Sequence, residues 1–269
     1  MIKLDEETLH KLQQTELELL SEFDRICRKN NIHYSLTGGT LLGAVRHGGF
    51  IPWDDDADVS MLRCEYEKFK SVLEKDLDHE HFYFQDIENT PGYRWGYGKL
   101  RKKNTLFLRE FQEQMPYEQG VFMDIFPRDG VPDGKLGRKI HTFKCFCVRK
   151  ILWSAVGRIA SKTRLKRLWY AFIYHLFGNS AYSLYKNLVR ISNKKQDTQL
   201  VRALTFPIPR KFAGYKREWY NEYVNIKFED KTFMAEKGYL DWLSQEFGDY
   251  MELPPVEKRK VHPVVEIAL

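Results

Sequence analysis

The sequence predicts an α/β protein, with a mixed sheet core, flanking helices and a basic helical insertion. Three observations carry that expectation. A strand-like segment, Ile32–Thr37, meets Gly38-Gly39, a short helix and a second strand headed by Asp56-Ala57-Asp58. Short strand-like runs rich in β-branched and aromatic residues alternate with segments of helical period over the N-terminal half. Residues 134–196 hold fifteen Lys or Arg and no Asp or Glu, within a chain of net charge +6. The core is therefore assigned to residues 1–133 and 197–269, and the insertion to 134–196. A chain of 269 residues is long enough to bury a large core.

Taken in order, residues 5–30 read as an amphipathic helix, with Leu9, Leu12, Leu19, Phe23 and Ile26 near one face. Gly38-Gly39 breaks the strand over 32–37, and Thr40 is placed to cap a short helix ending near His47. Val59–Leu62 continues the Asp-headed strand, and Cys64–Leu77 has a helical pattern. Further strands are expected at His81–Gln85, Trp95–Arg101, Thr105–Arg109 and Val121–Phe126. Gly130–Gly134 is a break. Helices then run through the basic block to about residue 195. Pro207 and Pro209 mark a loop, and a last helix is expected over 234–247.

Other classes are excluded on composition. Cys27, Cys64, Cys145 and Cys147 lack metal-ligand spacing and read as reduced thiols. The N-terminal Met1–Glu7 is acidic, unlike a signal peptide, and no apolar run approaches the ~20 residues of a membrane span. The expected location is cytoplasmic. The insertion interleaves its cations with aromatics such as Phe143, Phe146, Trp169 and Phe172. That pattern suits helices lying on anionic lipid or an anionic glycan. The plain alternative is a helical subdomain with those aromatics as its core. Charge alone would also admit RNA, but nucleic acid is not the expected partner.

The chemistry centres on the carboxylates. Side chains at i and i+2 of a strand share a face, so Asp56 and Asp58 can reach one Mg²⁺, or Mn²⁺ in its place. Four Asp within Asp54–Asp58 repel one another unless a cation sits among them. Asp54 shares the face if the chain is already extended there, but Pro52 makes a loop equally reasonable. Asp124 lies inside an apolar strand, where a lone carboxylate is costly. It reads as the third metal ligand or as a base, with a structural ion pair as the alternative. Backbone amides at Gly38, Gly39 and Thr40 suit a phosphate. Lys99 and Arg101 alternate on one strand face, and Arg46 and His47 follow the glycine helix; such cations can grip a diphosphate.

The run Thr37–Asp58 resembles the LicD family within the nucleotidyltransferase superfamily. The tail Phe247–Pro255, followed by Arg259 and His262, is similar to that family's C-terminal signature. The resemblance covers roughly residues 5–130 and 230–265. It implies a nucleotidyltransferase-like core and transfer of phosphocholine from CDP-choline, with CMP released. The acceptor would be a sugar hydroxyl of a teichoic acid or lipopolysaccharide precursor on a polyprenyl diphosphate lipid. Such an enzyme would work peripherally at the inner face of the cytoplasmic membrane. Asp56, Asp58 and Asp124 would hold the cation, with Arg259 and His262 returning to the donor phosphates. Trp53, Tyr93, Trp95 and Tyr97 are candidates for a choline cage, because aromatic faces hold quaternary ammonium; core packing is their plain alternative. Two other reactions stay open: NMP transfer from an NTP with pyrophosphate release, and transfer from a CDP-linked ethanolamine, glycerol or ribitol. A non-catalytic glycan or membrane module would not need three aligned Asp.

Overall fold

The computed structural model describes residues 4–208, 211–259 and 262–269; Met1–Lys3 and Pro209 of the sequence reading lie outside them. Helix α1 (Glu6–Lys29) is capped by Asp5, whose carboxylate accepts the Thr8 N–H at 2.8 Å, and it ends on Arg28 and Lys29. Acid at its start and base at its end both suit the helix dipole. The chain continues through β1 (Ser35–Leu36), α2 (Gly38–Arg46), β2 (Ala57–Leu62), α3 (Arg63–Asp76), β3 (Phe82–Gln85), β4 (Gly98–Lys102), β5 (Leu106–Arg109) and β6 (Phe122–Val131). Helices α4 (Lys135–Ala160), α5 (Arg164–Phe177) and α6 (Ala181–Ser192) form the insertion. The chain returns through β7 (Leu200–Arg202), β8 (Tyr215–Lys216), β9 (Tyr223–Phe228), β10 (Lys231–Glu236), α7 (Tyr239–Phe247) and β11 (Val264–Ala268).

The main sheet has the order β1-β2-β6-β4-β3. Its central pair, β2 and β6, is parallel, whereas β1, β4 and β3 join antiparallel. The result is the mixed α/β sheet with flanking helices that the sequence predicts. On β2, Ala57, Val59 and Met61 are fully buried on one face. Leu12, Leu19, Leu20, Phe23 and Ile26 of α1 join them in the principal core. The opposite face carries Asp58 and Ser60 of β2 and Asp124 of β6, beside the buried Phe122 and Phe126.

Several elements differ from the sequence reading. The strand at 32–37 is only Ser35–Leu36, and α2 starts directly at Gly38. Thr40 is therefore inside the helix, and Thr37 is its cap residue. Strand β6 continues past Phe126 to Val131, because its second half pairs with β7. The helix expected over 234–247 begins at Tyr239; residues 234–236 belong to the hairpin β9–β10, which turns at Glu229 with φ 54°. Buried Phe233 and Ala235 give that strand its period of two.

The insertion has its own small apolar cluster, built on Cys145, Val148, Leu152, Ala181, Tyr185 and Leu188. The Tyr185 hydroxyl ties it to the core by donating to the Gly96 carbonyl at 2.9 Å. Most aromatics of the insertion are not in that cluster. Phe143, Phe146, Trp169, Phe172 and Phe177 are exposed, which disfavours the reading of them as a subdomain core. No helix among the described residues is long and apolar enough to cross a membrane.

Candidate active site

The register of three strands builds the site. Asp58 on β2 lies opposite Asp124 on β6, and Asp124 lies opposite Lys99 on β4. Residues directly opposite across a sheet share a face. Asp58, Asp124 and Lys99 thus form one row, and Lys99 Nζ bonds Asp124 Oδ1. Both partners of that pair are buried. Asp56 stands two residues before Asp58 and accepts from Arg109 Nη2 at 3.2 Å.

The glycine turn meets this row at close range. Gly38 takes φ +60°, and a Cβ there would sit 2.7 Å from Asp58 Oδ2. A Cβ on Gly39 would collide with Asp54 Oδ2. The positive φ favours glycine at Gly38, whereas at Gly39 a Cβ would displace the Asp54 carboxylate. Thr40 serves the same junction: its hydroxyl accepts the Asp58 N–H at 2.8 Å. The residue read as a helix cap instead aligns a carboxylate-bearing strand.

Burial and mutual repulsion act on these carboxylates. Burial, followed by the charges of Asp56 and Asp124, pushes the Asp58 carboxyl well above the usual range. Burial with Asp56 and Asp55 does the same to Asp54. Lys99 is pulled down to about 7, first by burial, despite its bond to Asp124. Carboxylates crowded in this way favour a bound cation. The donor set of Asp56, Asp58 and Asp124 is all hard oxygen, the ligand type of Mg²⁺ and Mn²⁺, but the three do not place ligand atoms within 4.8 Å of one another. Asp55, Asp56 and His262 do so, combining oxygen and nitrogen.

The C-terminal segment closes over the Asp loop. His262 Nδ1 lies 2.8 Å from Asp55 Oδ1, and Asp55 is fully buried. The Arg259 guanidinium stands 4.1 Å from the Trp53 ring centre. Arg46 donates to the carbonyls of Tyr250 and Glu252 and is lowered by burial and then by Arg259. His47 packs edge-on to Trp53 and is lowered by burial and Arg46. Among the described residues neither Arg46 nor Arg259 has an ion-pair partner. Arg259 is near enough to Arg46 to add to the burial that lowers it.

Not every candidate joins this group. Arg101 is buried and spends its guanidinium on Gln85 Oε1 and the Gly120 carbonyl, so it supports β4 rather than facing a donor. The four aromatics do not form one cage. Trp53 lies under Arg259, whereas Trp95 and Tyr97 line a separate cavity against the insertion. Tyr93 is buried, with its hydroxyl donating to the Tyr97 carbonyl.

Three participants escaped the sequence reading. Arg109 reaches Asp56 only through long-range packing, for which no local signal exists. Asp55, given no role by the sequence, meets His262 beside Asp56. Glu16 is fully buried without a hydrogen-bond partner, and Asp56, Asp55 and Asp54 add to the burial that raises it. Its signal was present: it sits at helical spacing between Leu12 and Leu19–Leu20 on the apolar face of α1.

The chain is similar in sequence to known proteins. The model of the LicD/FKTN/FKRP nucleotidyltransferase domain matches residues 31–131, which contain the glycine turn, the Asp loop, β4 and Asp124. The chain is 33% identical to the lipopolysaccharide cholinephosphotransferase LicD of Haemophilus influenzae, over 96% of this chain and 97% of that protein. An uncharacterized protein of Rickettsia prowazekii, RP689, is 28% identical over 43% of this chain and 40% of its own length. The chain belongs to the LicD family.

Proposed function

We propose that this protein is a cholinephosphotransferase that moves phosphocholine from CDP-choline to a sugar hydroxyl of a lipopolysaccharide or teichoic acid precursor, releasing CMP. The observation that carries the reading is the aligned row Asp58–Asp124–Lys99 beside Gly38-Gly39, with Asp56 next to it. The likeness to a lipopolysaccharide cholinephosphotransferase supports choline and a glycan acceptor.

Asp56, Asp58 and Asp124 would hold Mg²⁺ or Mn²⁺, which supplies positive charge for the donor diphosphate and the departing CMP. The amide N–H groups at the start of α2 would orient a phosphate. Arg46 and Arg259 add charge above the Asp loop. The acceptor hydroxyl oxygen attacks the choline-bearing phosphorus, and the bond from that phosphorus to the CMP oxygen breaks. The hydroxyl proton would pass to a carboxylate, with Asp124 as the candidate if it does not complete the cation's shell instead. Lys99 holds that carboxylate in the row. Choline would rest on an aromatic face, either Trp53 or the Trp95–Tyr97 pair. A lipid-linked acceptor would bring the protein to the inner face of the cytoplasmic membrane, with the exposed aromatics and the acid-free charge of 134–196 as its contact.

The test is incubation with Mg²⁺, a panel of CDP-alcohols and NTPs, and a glycolipid acceptor. CMP formed from CDP-choline, and abolished by EDTA, is the expected result. CMP from another CDP-alcohol alone would reassign the head group. Pyrophosphate from an NTP would replace the reading with nucleotidyl transfer.

A further inference from the structure

One buried carboxylate beside the Asp loop has no part in the proposed transfer. Glu16 of α1 is fully buried, and neither of its oxygens has a hydrogen-bond partner. Its helix faces the loop: Gln13, one turn earlier, donates to the carbonyls of Ile51 at 3.2 Å and Asp54 at 3.0 Å. Asp56, Asp55 and Asp54 all lie near enough to add to the burial of Glu16, and Arg109 opposes them. The C-terminal segment meets the same loop. His262 Nδ1 lies 2.8 Å from Asp55 Oδ1 and 3.6 Å from Asp56 Oδ2. Among the described residues, Arg109 and His262 are the basic side chains that pair with these four acids.

We propose that Asp55, Asp56 and His262, with Glu16 beside them, form a site for a transition-metal dication of the zinc class, distinct from the all-oxygen set of Asp56, Asp58 and Asp124. Its role is to fasten the C-terminal segment to the Asp loop. His262 stands two residues before Val264, which opens β11 and pairs with Arg109 of β5. Arg109 is the residue that reaches Asp56. The Pro263 carbonyl accepts the Glu110 N–H at 3.0 Å. A cation on His262 therefore joins the loop, β5 and β11 at one point.

The chemistry favours zinc over magnesium here. Imidazole nitrogen with carboxylate oxygens is a ligand set of Zn²⁺, whereas Mg²⁺ takes oxygen and keeps much of its water. A dication also brings charge where Glu16, Asp54, Asp55 and Asp56 face a single guanidinium. A hydrogen bond from His262 would account for Asp55, but it leaves the Glu16 carboxylate without a partner. A second group of the same composition supplies the contrast. Asp78, Glu80 and His81 place their ligand atoms equally close, but they lie partly or fully exposed, where water satisfies their carboxylates.

The experiment needs neither donor nor acceptor, so its failure is distinguishable from failure of the transferase reading. The full chain is stripped with EDTA, exchanged into excess Mg²⁺ and titrated with Zn²⁺ by calorimetry. Zinc is expected to saturate a single site in spite of the Mg²⁺. His262→Ala should weaken it about tenfold or more, and Asp55→Asn is the second variant if the first misfolds by circular dichroism. Glu16→Gln should weaken it in the same direction. His81→Ala, in the exposed group, should leave it unchanged. Zinc should also slow amide exchange over 264–268 in the wild type and not in His262→Ala. Indifference to both His262→Ala and Asp55→Asn, displacement of zinc by Mg²⁺, or loss of binding in His81→Ala would overturn the proposal. Zinc that binds without slowing exchange in β11 would overturn the fastening role.

Discussion

The core and the insertion break the usual rule of burial in opposite directions. The core places carboxylates and a lysine inside, where charge is costly: Asp124, Lys99, Asp55 and Glu16 are all buried. The insertion places apolar side chains outside. Helix α5 buries only Ile173, whereas Leu165 is 79% exposed, Leu168 61% and Trp169 59%. These residues, with Phe172 and Leu176, recur at helical spacing on one face. Each region gives up stability at the place where it meets something else. In the proposed reading that something is a cation with phosphates for the core, and an apolar phase for the insertion.

The largest expected effect comes from relieving the core of its charge. Asp58→Asn should lower turnover by about 10³-fold, since a catalytic cation stabilises the transition state by several kcal/mol. EDTA should do the same reversibly to the wild type. Stability should move the other way. Asp58 is held above its ordinary range by burial and its neighbours, so removing its charge in EDTA should raise the melting temperature by about 2–4 °C per kcal/mol relieved. Full activity of the variant would remove Asp58 from the site.

The Asp124–Lys99 pair separates catalysis from packing. Asp124→Asn should leave Lys99 buried without a counter-charge, and breaking such pairs costs about 3–5 kcal/mol. Asp124→Asn with Lys99→Met should recover much of that stability but not kcat, if the carboxylate acts in the reaction. The pH response has a defined sign. Lys99 sits near 7 when folded, below its ordinary 10.5. Between these values the unfolded chain binds more protons, so this group's contribution to stability rises with pH across that window and is lost as pH falls through about 7. Urea melts near pH 7 and about pH 9 should show a smaller pH gain in the double variant.

A matched pair of substitutions sharpens the contrast. Leu19→Ala in α1 removes a fully buried side chain and should cost about 2–5 kcal/mol. Leu168→Ser in α5 should stay within about 0.5 kcal/mol, because that side chain has little packing to lose. A large loss at Leu168 would mean that α5 packs against protein in solution.

The legible parts of this molecule were local ones. A glycine pair, a short helix and Asp56-Ala57-Asp58 report themselves by spacing, and Asp124 stood out as a charge in an apolar run. The basic block was visible by counting. What stayed hidden depends on register and distant packing. No periodicity tells that Lys99 falls opposite Asp124, that Arg109 reaches Asp56, or that Arg101 turns to Gln85. Thr40 was misread because its hydroxyl could cap a helix equally well, and only the β2 backbone beside it decides otherwise. The hairpin over 223–236 was missed because its exposed residues are as polar as those of a helix.

The smallest effect tests whether charge acts with the exposed stripe of α5. Arg164, Lys166 and Arg167 open that helix, and no acid lies within the insertion to neutralise them. Each Lys or Arg near an anionic surface contributes about 1 kcal/mol, so three together matter for reversible adsorption. Reversing all three to Glu should weaken binding to phosphatidylglycerol vesicles, as read by sedimentation at low salt. Salt should weaken the wild type in the same direction as screening grows. Turnover of a short soluble acceptor should not change, because these residues lie on α5 and outside the carboxylate row. If the reversed protein binds vesicles as the wild type does, the apolar stripe holds the surface alone.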